Sequence, residues 1–418
     1  MYKRHTGQVS MLESPEMFGS LPLDPNNDWI KLSKFVPWRE FDLKYADNFR
    51  SKKGQRACDS RMALGSVLIK IHYKGMSDED LTKEIAMNPY LQYFLGLREY
   101  RYECPFDASM MTRFRQRISA EMLAWVNDEI IGRRAAAEKK EEDHKDDDSG
   151  STGTSAQEES KGGESEEENQ GTLILDATCA PQNIRHPGCL KETLLVRKQE
   201  MLQVIRTLYS QQEYMYRTKT HKVDDRIVSI SQPWVRPIVR GKQTADVEFG
   251  AKVEMSIVDG FLRIEDLRWD AYNESTTFQE SVESYRKAYG HYPERVLADT
   301  IFRTRENMRY CKEHGIHLNG PKLGKPYADP AIQKQQKKLE WQESGERGEI
   351  ERNFGVGKRR YCLDRIVTKL KETSEVMIHA SVLYMNLRKK LRLLLRLFFS
   401  WLWNSIQNRL EGEILTLV

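Results

Sequence analysis

Residues 135–170 (AAAEKKEEDHKDDDSGSTGTSAQEESKGGESEEENQ) are acidic, low in complexity and without apolar periodicity. No hydrophobic core runs through such a segment, because it buries too little apolar surface to offset the entropy of ordering it. It is expected to be a disordered linker. Its charge keeps it off a polyanion, holds it against basic surfaces, or does no more than solvate a spacer. The chain of 418 residues is long enough for two or three domains, and the linker obliges each side to close its own core. The segment carries 13 acidic and 4 basic residues, a balance of −9, so within a net charge of +4 the rest of the chain holds +13. Such a surplus suits a polyanionic partner, since lysines and arginines that neutralise phosphates release condensed counterions.

Residues 1–134 form the first part, helical from about 41 onward. Gly75, Met76 and Ser77 break the chain, and Ser77 with Asp80 makes a capping-box-like start. The spacing predicts a helix over 78–87 that buries Leu81, Ile85 and Ala86. Asn88-Pro89 resets the chain before a helix over 90–97, and Asp107 suits the cap of another that carries Arg113, Arg115 and Arg117 close to Phe114. Short helices with tight turns and late arginines resemble a compact helical DNA-binding domain. An all-helical packing module with solvated arginines is the alternative. The N-terminus lacks the apolar core of a signal peptide, and the most apolar stretch, 391–403, carries Arg392 and Arg396 and is too short to span a bilayer. Six cysteines without a CxxC pair argue against a zinc site or a disulfide scaffold, and the expected setting is cytoplasmic, with no membrane partner.

After the linker the pattern turns α/β. The run Thr172, Leu173, Ile174, Leu175 ends in Asp176 and reads as a buried strand. Residues 247–258 and 261–269 are β-rich and joined by Asp259-Gly260, a hairpin signal. A helix over 276–289 follows, then Val296, Leu297 and Ala298 leading into Asp299, a helix over 303–314 stopped by Gly315, a strand over 316–318, and a basic helix beginning near Gly348. Strand, hairpin, helix, strand, helix, strand, helix is the order of an RNase H-like core, a mixed sheet with flanking helices. The stretch 185–240 is too long for a simple loop and reads as an insertion, partly helical over 190–208. The expected division is 1–134 helical, 135–170 linker, 171–390 the α/β domain with its insertion, and 391–418 a C-terminal basic and apolar helix. The run from Asn386 to Trp403, which mixes arginines, lysines, leucines and aromatics, suits a partner-binding or DNA-facing helix, or one packed on the α/β domain, with the packed reading preferred.

Phosphodiester cleavage with two metal ions needs acids that converge on one point. Hard magnesium ions take a few carboxylates plus substrate phosphate. Asp176 and Asp299, each expected at the end of an apolar strand, are suited to this, with a glutamate reaching in from a neighbouring helix. Each acid alone is uninformative, because an aspartate ending a strand is most often a turn former. Trp269-Asp270 stacks on a base or closes the core, and the core is preferred. The histidines at 186, 291, 314 and 317 form no metal-ligand pattern, and Cys179 has no histidine at a motif spacing.

The segments LILDATCAPQNI, VLADTIFRTRENMRYCKEHGIHLNGPKLGKP and RGEIERNFGVGKRRYCLDRI resemble the three catalytic blocks of bacterial insertion-sequence DDE transposases. The third is the most specific. Those enzymes show a tyrosine, arginine, glutamate, lysine signature, and Arg347, Glu351 and Lys358 match its last three positions with the family's gaps. The resemblance implies an RNase H-like fold and metal ligation by Asp176, Asp299 and Glu351. It also implies dependence on Mg2+, with Mn2+ as an alternative. The implied chemistry is cleavage and strand transfer on double-stranded DNA, at element ends and target, in an oligomeric synaptic complex on the nucleoid. Arg347 and Lys358 would bind phosphates beside the cleavage point, Arg359, Arg360 and Arg365 would extend the basic surface, and Arg113 and Arg117 would bind DNA from the N-terminal domain. Glu349 is the second choice for the third acid. Arg305 and Asn307 support the second block or lie on a solvated helix face.

Three positions depart from that pattern. Ser344 fills the tyrosine slot, Cys362 stands where glycine is expected after Tyr361, and 188–230 resembles the family poorly. An impaired copy that binds DNA without cutting it, or a metal-dependent nuclease without strand transfer, is therefore carried beside the transposase reading.

Overall fold

In a computed structural model of the protein, the described residues are 2, 15, 18–19, 21–49, 57–132, 169–182, 196–242, 245–270, 272–321 and 330–415. Of the expected linker at 135–170, residues 135–168 lie outside them. The chain divides into two compact units, one of Met1–Ile130 with Ala380–Val418 and one of Ile131–His379.

The described residues of the first unit are all helical or loop: α1 (Asp28–Ser33), α2 (Trp38–Ala46), α3 (Ser60–His72), α4 (Asp78–Met87), α5 (Pro89–Phe94), α6 (Met110–Arg117) and α7 (Ala120–Ile130). α4 begins where the capping signal put it, with the Ser77 hydroxyl accepting from the Asp80 N–H at 3.0 Å while Leu81 and Ile85 are buried. Asn88 then caps α5 with Pro89 at its first position, so the helix expected over 90–97 starts earlier and stops at Phe94. Asp107 accepts from the Ser109 N–H in the turn before α6. Arg115 is a structural residue, because its guanidinium is buried on Asp78 at 2.7 Å, with Lys70 2.9 Å from the same carboxylate. Arg117 lies over the Phe49 ring, and Arg113 is exposed.

The second unit is a mixed α/β structure on one sheet: β1 (Thr172–Pro181), β2 (Arg236–Lys242), β3 (Ala245–Val258), β4 (Phe261–Arg268), β5 (Arg295–Ala298) and β6 (His317–Leu318). β1 lies at the centre, antiparallel to β3 and parallel to β5, and β6 extends β5 in parallel. β2 and β4 follow one another along the far edge of β3. Asp259 and Gly260 both adopt positive φ, +51° and +75°, and close the β3–β4 hairpin as a turn that demands it at both positions. Gly250, paired to both Pro181 and Arg236, allows close approach there, for a Cβ at that position would sit 2.2 Å from the Ala180 carbonyl oxygen.

Four helices accompany the sheet: α8 (Val196–Thr218) in the insertion, α9 (Phe278–Tyr289), α10 (Arg305–Glu313) and α11 (Pro330–Arg360). The insertion helix was expected over 190–208. Its residues before 196 are outside the described ones, and beyond 208 it continues to Thr218. Leu173, Leu175, Val296 and Ala298 bury one sheet face in a cluster with Phe278, Val282, Phe302 and Cys311. Side chains alternate along a strand, so the intervening residues face the other way, and α11 packs across β1 and β5. α11 starts at Pro330, well before Gly348. Glu343, Ile350, Phe354 and Gly357 recur at helical spacing as its buried side, which the glycines in the sequence obscured. Trp269 is buried and donates to Glu375 at 2.8 Å, the core role preferred above. The C-terminal run belongs to α12 (Lys371–Leu415), which starts before 386. From Ala380 it lies in the helical unit, where Asn386 donates to Asn127 and Arg388 to Asp28, in place of the expected packing on the α/β domain.

Candidate active site

The parallel ladder between β1 and β5 ends at the pair Leu175 and Ala298, and the next residues on the two strands are Asp176 and Asp299. For Asp176 this amends the sequence reading. β1 runs on to Pro181 because its antiparallel partner β3 continues, so Asp176 stands mid-strand, at the end of one ladder only. Asp299 follows the last residue of β5 and caps a short 3-10 turn, accepting from the Thr300 N–H at 2.7 Å. Both alternate with Leu175 and Ala298, the residues that bury the opposite face.

Asp176 is partly buried and one of its oxygens accepts from the Ala177 N–H at 2.8 Å. Burial, with the negative charges of Glu274 and Asp299 behind it, pushes its carboxyl up to about 6 against the opposing pull of that N–H and of Arg347. A carboxylate held in this way gains from any cation that arrives.

α11 supplies the remaining groups. A hydrogen bond between Glu343 and His317 at 2.6 Å and an ion pair of Glu346 with Arg295 at 3.2 Å fix it to the sheet, and Ile350 is buried. Arg347 lies on that anchored side, within electrostatic range of Asp176, and pairs with Glu351 one turn on at 3.1 Å. The Glu351 side chain is 58% exposed, so it is free to exchange that arginine for another partner. Glu349 is half-buried, and its carbonyl accepts from Asn353. Lys358 lies 3.9 Å from Glu248, and Arg359, Arg360 and Arg365 are exposed. Ser344 is exposed as well. Cys362 adopts φ +64°, the left-handed conformation that the expected glycine takes without strain. Asn307 is buried, donating to the carbonyls of Ser275 and Phe302, and is thus a framework residue.

Sequence reasoning missed Glu274. It sits in the 3-10 turn before α9, 2.8 Å from the buried ammonium of Lys252, and acts on Asp176 more strongly than Asp299 does. Nothing in the local run YNEST sets it apart, since only the return of the hairpin brings it to β1. Among the described residues no three acids, histidines or cysteines are gathered closely enough to hold a metal ion as they stand. The two aspartates supply hard oxygen donors on adjacent strands, and the exposed Glu351 is the group that would have to leave Arg347 to join them.

Among the described residues no helix is long and apolar enough to cross a membrane. Residues 296–388 match the family model of a transposase DDE domain, and residues 20–117 match that of a transposase domain (DUF772). A relative in Rhizobium meliloti, an uncharacterized protein ORF8 in the nfe locus, is 33% identical over 101 residues, 24% of this chain and 48% of that protein. The chain thus spans about half the length of the curated relative it matches. No solved structure matches. The second acidic block and the signature helix thus lie inside a match to a transposase DDE domain, and the N-terminal helices inside a match to a second transposase domain.

Proposed function

We propose that the protein cuts and joins DNA at the ends of an insertion sequence, with Asp176, Asp299 and Glu351 as the catalytic acids on an RNase H-like core. The observation that carries this reading is the neighbouring placement of Asp176 and Asp299 at the end of the β1–β5 ladder, with Arg347 and Glu351 on the helix packed across those strands. The strand order β4–β3–β1–β5–β6 with β1 central supports the fold assignment.

Asp176, Asp299 and Glu351 would hold the divalent cations, magnesium or manganese. When bound, such ions supply Lewis acidity at the attacking and leaving oxygens of the phosphodiester. Arg347 then has two uses. It keeps Glu351 close while the site is empty of cation, and once released it is one helical turn away, free to bind a phosphate oxygen through its planar fork. Lys358, two turns along α11, with Arg359 and Arg360, would follow the backbone of double-stranded DNA. The high carboxyl of Asp176 means that binding of a cation near neutral pH displaces a proton where one is held. The helical unit, with Arg113 exposed on α6, is assigned to holding the element ends.

A second reading, a transposase-derived protein that binds DNA without cutting it, is favoured by Ser344 in the tyrosine slot and by the strained Cys362. The test is cleavage and strand transfer on DNA carrying the element's ends, with wild type and Asp299→Ala. Joined products lost in the variant support the proposal. Cleavage without joining identifies a nuclease, and end binding without cleavage in either protein identifies the DNA-binding descendant.

A further inference from the structure

Two short 3-10 turns bear on the acids of the site, and one side chain binds them together. The first, Glu274–Thr276, follows the hairpin and leads into α9. The second, Thr300–Phe302, follows β5 and is capped by Asp299. Both belong to the α/β unit and pack on one another. Asn307, in the first turn of α10, is buried, and its carboxamide donates to the carbonyls of Ser275 and Phe302, each at 2.9 Å. The carboxamide oxygen accepts from the Gln279 amide at 3.3 Å, so both ends of the group are committed.

The chemistry of that link is specific. A carboxamide carries two N–H donors in one plane, which is what two neighbouring carbonyls can share. An aspartate of the same shape sets acceptors against acceptors, and an apolar side chain donates to neither. The link also reaches the acids themselves. The Phe302 N–H donates to the Asp299 carbonyl at 3.0 Å, and the Thr300 N–H to the Asp299 carboxylate at 2.7 Å. Glu274 opens the other turn, 2.8 Å from Lys252, whose ammonium also donates to the Tyr272 carbonyl at 2.7 Å. From the β6 side, Asn319 accepts from the Ala298 N–H at 2.8 Å while its carbonyl accepts from the Arg303 guanidinium. Those bonds hold Asp299 to its own strands, whereas Asn307 ties it across to the turn whose acid acts on Asp176.

We propose that Asn307 is a positioning residue for the cleavage reaction: by clamping the Asp299 turn to the Glu274 turn, it fixes the Asp299 carboxylate beside Asp176 for binding of a divalent cation. This rests on the catalytic reading above, and it makes metal affinity, rather than DNA affinity, the quantity that Asn307 controls. Metal ligands that lose their outer hydrogen-bonded support typically lose roughly 10–100-fold in metal affinity.

The test is Mn2+ binding to the full chain without DNA, followed by the electron paramagnetic resonance of the free ion, with wild type, Asp299→Asn, Asn307→Ala and Ser281→Ala. Wild type is expected to bind, Asp299→Asn to lose most of that binding, and Asn307→Ala to bind roughly 10-fold more weakly. Ser281→Ala removes a buried hydrogen bond to Glu254 in the same unit without touching either turn, so it should lose stability at unchanged affinity. The Mg2+ concentration that half-saturates cleavage should rise in Asn307→Ala, while binding to element-end DNA stays as in wild type. Gln279→Leu removes only the bond that orients the carboxamide, and serves where Asn307→Ala does not fold; it should weaken Mn2+ binding by a smaller factor. Mn2+ affinity unchanged in Asn307→Ala, or in Gln279→Leu where the first variant is unfolded, overturns the proposal. So does a loss that Ser281→Ala matches. In either case the loss in Asp299→Asn still stands and the catalytic reading survives, whereas a wild type that binds no Mn2+ sinks both.

Discussion

Asp176 and Glu254 are both acids on the central strands, and their surroundings give them different work. Glu254 is fully buried, its carboxylate accepting from the Thr277 and Ser281 hydroxyls on the face toward α9. Burial, with Asp266 and Glu265 adding negative charge, pushes its carboxyl up to about 7. A carboxyl raised on folding leaves stability intact below its unfolded value, near 4.5, and removes it as pH climbs through 7. Roughly 3 kcal/mol should therefore be lost between pH 4.5 and 8 on account of this group. Glu254→Gln should erase that loss, raising the urea midpoint at pH 8 and leaving it nearly unchanged at pH 5; equal effects at the two pH values would refute the assignment. Asp176→Asn and Asp299→Asn make the contrasting case. Each should lower cleavage by roughly 100-fold or more while leaving the melting temperature equal or, for Asp176, higher, because a buried charge is removed. A variant that loses activity only because it unfolds would argue for a structural role.

Among elements, β3 carries the most, since β1, β2 and β4 all pair with it. Gly250 is where two of those pairings meet, so Gly250→Ala should cost about 3 kcal/mol by forcing β1 and β3 apart. Chemical unfolding will measure this, and a cost under about 0.5 kcal/mol would mean that the strands separate freely there. Much at this scale was legible in the sequence. Ser77 and Asp80 announced α4, Asp259-Gly260 announced the hairpin, and Gly315 announced a helix end, which it makes in the left-handed conformation. Local chemistry writes such signals into a few adjacent residues. The extent of β1 past Asp176 was hidden, because it depends on the length of β3 far along the chain. The start of α11 was hidden by glycines whose cost is offset by anchors at Glu343 and Ile350. Glu274 was hidden for the same reason as β1, since its proximity is made by the hairpin's return.

For the whole molecule, the sequence suggested a helical part and an α/β part, and the described residues form a helical unit and an α/β unit. The sequence did not reveal that the chain's end returns to the helical unit through Tyr384, Asn386 and Arg388, contacts that no local pattern predicts. Each unit carries its own match to a transposase domain. The central claim is that one acid from α11 joins two from the sheet. The most direct test is magnesium-dependent cleavage of DNA bearing the element's ends, comparing wild type with Glu351→Gln and Glu349→Gln. The account predicts that Glu351→Gln abolishes cleavage while retaining DNA binding, and that Glu349→Gln cuts nearly as well as wild type. Cleavage surviving in Glu351→Gln would contradict it.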